Sequence, residues 1–127
     1  MKRDMDLIRN LLFKCEELSE PARDIWFSYK DTDISVEGYS PEQILAHLEM
    51  LLDSGFVIGN IGASGDFMLR RLSWDGHEFI ASVRDAEVWS ETKKAAKKGG
   101  TEALNFIWEI AKGVVRKQIK ERAGIDL

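Results

Sequence analysis

A chain of 127 residues with 44% apolar and 31% charged side chains has the size and composition of one ordinary globular domain. Its 22 acidic against 18 basic residues give a net charge of -4, the wrong sign for gathering polyanions through an overall field, so any nucleic-acid contact would have to be local. The one cysteine excludes an internal disulfide, and nothing approaches the ~18 uninterrupted apolar residues of a membrane span, so a soluble, cytoplasmic protein is expected, with no membrane partner.

From residue 4 to 18 the apolar side chains Met5, Ile8, Leu11, Leu12, Cys15 and Leu18 recur at the helical period behind the capping residue Asp4. Asp4, Asp6 and Arg9 interrupt what would be the apolar core of a secretion signal, and Cys15 reads as a small core residue. Pro21 breaks the helix, and residues 24–30 (DIWFSYK) are too short a run to assign. Residues 31–37 alternate, with Ile34 and Val36 on one side, which predicts a short strand.

Ser40 and Pro41 make a strong helix start, Ile44, Leu45, Leu48, Leu51 and Leu52 form its buried stripe, and Gly55 supplies a left-handed stop. Residues 56–61 and 67–72 read as two strands of a hairpin whose turn, 62–66, is expected to need positive φ at Gly62 or Gly65. Ser73 caps a helix that carries Phe79, Ile80 and Val83 and is expected to run past Trp89 to the lysines at 93–98. Gly99 and Gly100 end it, and a last helix starts at Thr101 and reaches about Ala123. Helix, hairpin, helix is the order of a winged-helix domain. The fold expected is therefore α+β and mostly helical, a winged-helix-like domain over 1–90 followed by a helical extension over 91–127.

The last helix carries two adjacent apolar rows, Ala103, Ile107, Ile110 and Val114 beside Leu104, Trp108, Ala111 and Val115, widened by Phe106 and Ile119. A face this broad exceeds the stripe needed to lie on one small domain, which suggests a homodimer through Leu104, Ile107, Trp108, Ala111 and Val115.

Candidate chemistry is sparse. The helix preceding the hairpin stands where a winged-helix protein places its DNA-reading helix, yet it holds no Lys or Arg, and Glu42, Glu49 and Asp53 would repel phosphates. If DNA is read at all, Arg70 and Arg71 on the hairpin and Gln43, which could pair with adenine, are the residues placed to do it. Basic residues also gather at 93–98 and along the last helix, where such runs are ordinarily a solvated face. Gly59, Gly62 and Gly65 match no phosphate-loop spacing, and His47, read as a helix-edge residue, and His77 lack a second ligand at metal spacing. Trp26, Trp74, Trp89 and Trp108 read as large core or interface anchors. No nucleophile or acid/base pair is recognisable, so a non-catalytic protein without cofactor or metal is expected.

The segments MKRDMDLIR, GYSPEQILAHLEMLLDSGF, RLSWDGHEFI and RDAEVW resemble the recurring motifs of a family of small bacterial and phage proteins catalogued as domain of unknown function 2513, over roughly the first ninety residues. The resemblance implies a winged-helix-like domain and bacterial or prophage origin, and no activity. A protein-interaction or regulatory module is therefore expected, the alternative being a DNA-binding transcriptional regulator that uses the hairpin arginines and the basic last helix.

Overall fold

In the computed structural model, which describes residues 1–101 and 103–124, Asp4 opens the first helix, α1 (Met5–Leu18), by accepting a hydrogen bond from the Leu7 amide at 3.1 Å. Leu7, Leu11, Leu12 and Cys15 on its inner face are fully buried. The unassigned run contributes β1 (Ile25–Phe27), which joins β2 (Val57–Ile61) and β3 (Phe67–Leu72) in an antiparallel sheet of order β1-β3-β2. Helix α2 (Pro41–Ser54) packs on α1 and β2, and α1 packs on β3, so these helices cover one face of the sheet. The α+β, mostly helical class matches the sequence expectation.

Residues 31–37 do not form the expected strand. The Asp31 carboxylate accepts from the Asp33 amide and the Ser35 hydroxyl donates back to the Thr32 carbonyl, winding Thr32–Ile34 into a single 3₁₀ turn that buries Ile34. Local side-chain hydrogen bonding has overridden a two-residue alternation too short to specify a strand.

Ser73 caps α3 (Trp74–Val83) by accepting from the Gly76 amide at 3.0 Å, while its own amide donates to the Phe56 carbonyl at 2.9 Å. The Phe56 carbonyl lies where a Cβ on Gly76 would have to be, so only glycine admits this approach of helix to chain. The helix predicted to run on towards Lys98 is broken at Arg84 and Asp85, because the Asp85 carboxylate accepts from the amides of Glu87 and Val88 and starts a new helix, α4 (Ala86–Gly99). Gly100, in the left-handed conformation at φ 68°, closes it. The last helix, α5, spans Leu104–Ala123, three residues later than Thr101, whose hydroxyl instead accepts from the Ala103 amide.

By compactness the chain divides into Met1–Glu78 and Phe79–Leu127, a boundary inside α3, whereas the sequence reading divided it at 90/91. The core of the first unit is Leu7, Leu11, Ile34, Leu48, Phe67 and Leu69, all fully buried. In the second, α4 packs on α5, and the Trp108 ring meets Phe79 edge-on at 6.1 Å.

Candidate functional site

The sheet has one covered face and one open face. Along β3 the side chains alternate, with Phe67, Leu69 and Leu72 buried and Met68, Arg70 and Arg71 turned outward. The two consecutive outward arginines are a consequence of register: Ile58 pairs with Arg71 and Gly59 with Leu69, so Arg70 is the extra residue of a β-bulge. Gly59 beside the bulge is obligatory, since the Met68 carbonyl occupies the position of its Cβ. Across the same open face Trp26, Met68 and Asn60 form a cross-strand row, and the Trp26 ring lies over Gly62. Trp26 remains 59% exposed and Ile58 38% exposed. At the hairpin tip Gly65, at φ 85°, is the glycine with the expected positive φ.

Both arginines are engaged within the chain. Arg70 pairs with Asp24 at 3.3 Å, and Arg71 donates to the Leu72 carbonyl at 3.1 Å. Gln43 is engaged too: its side-chain oxygen accepts from the Ser40 amide at 2.8 Å and the Ser40 hydroxyl accepts from the Gln43 amide, a complete capping box. A bidentate contact to adenine would have to break it. The ionisable side chains exposed on α2 are Glu42, Glu49 and Asp53.

His47 is not at the helix edge. It is buried, with the Asp4 amide donating to Nε2 at 2.8 Å and Nδ1 bonded to the Gln43 carbonyl at 2.7 Å, which requires the proton on Nδ1. Tyr39 donates to the Asp4 carboxylate at 3.0 Å, and burial first, then this bond and the nearby charges of Asp4 and Asp6, push its phenol up. The network pins the start of α1 to the middle of α2 and leaves no ring nitrogen for chemistry. Burial likewise pushes the Cys15 thiol up to about 12. Among the described residues no group of three His, Cys, Asp or Glu is placed to hold a metal ion, and no helix is long and apolar enough to cross a membrane. An open groove of about 360 Å³ lies between α1 and residues 35–37, lined by Phe13, Lys14, Glu17 and Glu37 among others.

A family model described as "Hypothetical protein (DUF2513)" matches residues 2–102, which include the sheet, α2, α3 and α4. The chain belongs to this family. It is also similar to an uncharacterised protein of Haemophilus influenzae (strain Rd), 27% identical over 123 residues that cover 94% of this chain and 99% of the relative. No solved structure matches.

In this family member the residues singled out on α5 fall into two sets. Ile107 and Ala111 are buried within the chain, whereas Leu104, Trp108 and Val115 stay partly exposed along one flank, and Phe106 is exposed on the opposite side. Lys112 lies over the Trp108 ring at 4.3 Å and pairs with Glu109. The tryptophans also divide: Trp89 is buried, while Trp26 and Trp74 are open to solvent. Sequence reasoning missed Trp26 as a surface residue because β1 is three residues long, too short for alternation to assign a face.

Proposed function

We propose that the chain is a cytoplasmic, non-catalytic, winged-helix-like module of bacterial or prophage origin that works by docking a protein partner. The order α1, β1, 3₁₀ turn, α2, β2, β3 with sheet order β1-β3-β2 supports the winged-helix reading, the 3₁₀ turn standing where a helix-turn-helix has its first helix. The observation that carries the docking reading is the open face of the sheet, where Trp26 and Ile58 are exposed beside Arg70 and Arg71 while α2 shows only acidic charge. An exposed tryptophan with arginine neighbours is the composition of an interaction hot spot. The engaged state of Gln43 and Arg70 weighs against base reading.

The test is a pull-down from the native host with wild-type bait and with Trp26→Ala and Arg71→Ala baits, in lysate with and without nuclease. A protein retained by wild type after nuclease and lost from both variants is expected. The same proteins on all three baits, or retention that disappears with nuclease, would count against it. The partly exposed flank of α5 further supports a homodimer through Leu104, Trp108 and Val115. Light scattering should then report a dimer at micromolar concentration and a monomer after Trp108→Glu with Val115→Glu; a monomeric wild type ends this idea.

A further inference from the structure

The charges of the chain are unevenly divided. Residues 1–78 hold eight Lys and Arg against fifteen Asp and Glu, net -7, and residues 79–127 hold ten against seven, net +3. The overall charge of -4 therefore hides a basic unit, and a polyanion could approach that unit alone. Within it, two basic residues of α5 are engaged: Lys112 with Glu109 and the Trp108 ring, and Arg122 with Glu87.

The lysines of α4 differ. Val88, Trp89, Thr92 and Ala96 form the buried face of this helix, and Lys93, Lys94, Lys97 and Lys98 are exposed on the side turned away from it. Lys93 is held 5.7 Å from the Trp89 ring centroid, whereas the side chains of Lys94, Lys97 and Lys98 make no ion pair or hydrogen bond among the described residues. The carboxylates on the same helix are Glu87, paired with Arg122, and the partly buried Glu91, one turn before Lys94. Lys97 and Lys98 in the last turn also favour the helix dipole, but Lys93 and Lys94, a turn earlier, lie beyond its reach.

We propose that the exposed face of α4, carried by Lys93, Lys94, Lys97 and Lys98, is a sequence-independent contact for the phosphate backbone of duplex DNA. Lysines one turn apart are separated by about 6 Å along the helix, and each duplex strand offers a phosphate every ~3.4 Å of its axis, so flexible ammonium groups on both rows find partners without fixed register. An anionic membrane is a poorer match, since a helix that lies on lipid inserts an apolar face and the apolar face of α4 is already buried. The contact goes beyond the protein-docking reading and uses none of its residues, so either can fail alone.

Fluorescence anisotropy of the full chain with labelled duplexes of two unrelated sequences tests the proposal across a salt series. Equal, weak binding to both is expected, with log K falling against log salt at a slope of about -2.7 to -3.6 for three to four phosphates. Replacing Lys94, Lys97 and Lys98 together by Gln, which keeps helix propensity, should reduce the slope to about -1 and binding at low salt at least tenfold, with an unchanged circular dichroism spectrum. Arg70→Gln with Arg71→Gln should leave binding as it was. No binding at low salt, loss with the arginine pair and not the lysines, a strong preference for one sequence, or equal displacement by polyglutamate or phosphatidylserine vesicles would each overturn it.

Discussion

The two units of this chain are built by different rules. The first is closed by bonds between residues far apart in sequence: Asp4 to His47, Tyr39 to Asp4, and β1 to β3 across some forty residues. The second, from Phe79 on, is the end of α3 and two helices adjacent in sequence, α4 and α5, which pack on one another. The first is acidic with an open sheet face where exposed Trp26 and Ile58 lie beside two arginines, and the second is basic with the α4 lysines in solvent. A single net charge averages these into a mildly acidic protein that neither unit resembles, and the surfaces offered to partners are legible only unit by unit.

The largest expected effect tests how tightly the first unit is determined. Gly76→Ala drives a Cβ into the Phe56 carbonyl, a backbone group that cannot swing aside as a side-chain tip would. A loss of about 3 kcal/mol in denaturant unfolding is expected, at the upper end of overpacking costs. His47→Leu comes next. It fills similar space but leaves the Asp4 amide and the Gln43 carbonyl without their ring partners, for a loss of about 2 kcal/mol. A His47→Leu protein as stable as wild type would mean that the long-range network orders nothing.

Cys15 gives the first unit a dependence on alkaline pH. Burial holds its thiol at about 12, above the value of 9.0 for a free thiol, so between these values the unfolded chain has released a proton that the folded chain keeps. The stability attached to the neutral thiol is complete below pH 9 and is lost as pH rises towards 12, by about tenfold in the folding equilibrium per pH unit. Comparing urea midpoints of wild type and Cys15→Ala between pH 8 and pH ~10.5 isolates this slope, and native protein at pH 8 should react with a thiol reagent only as fast as it opens.

How much of this could be read from sequence follows the same division between local and distant causes. Helices α1 and α2 were legible because period and cap agree at Asp4, at Ser40 with Pro41, and at Gly55. The strand expected at 31–37 and the continuous helix through Asp85 failed for one reason: an aspartate accepting from amides two or three residues ahead outweighs a short apolar pattern. On the candidate surface, Arg70 and Arg71 were visible as hairpin residues, but that both turn outward depends on a bulge opposite Ile58, and register between strands leaves no local mark. On α5 both apolar rows are visible in the sequence, yet the structure buries one member of each, Ile107 and Ala111, and which members are covered depends on the placement of α4, so these two could not be told from Leu104 and Trp108.

The smallest effect sharpens the contrast from the side of the second unit. Gly113 sits in the middle of α5, exposed, and a Cβ built on it meets nothing within 4 Å. Glycine at an exposed helix interior costs roughly 0.5 to 1 kcal/mol relative to alanine, so Gly113→Ala should raise stability by about that amount, the opposite sign from Gly76→Ala. Thermal unfolding at two protein concentrations checks this. A gain independent of concentration means that this side of α5 faces water, and any dimer is confined to the Leu104, Trp108 and Val115 flank. A loss that deepens with concentration means that a second copy lies against Gly113, bringing the exposed Phe106 on the same side of the helix into the interface, and the dimer surface would then have to be moved there.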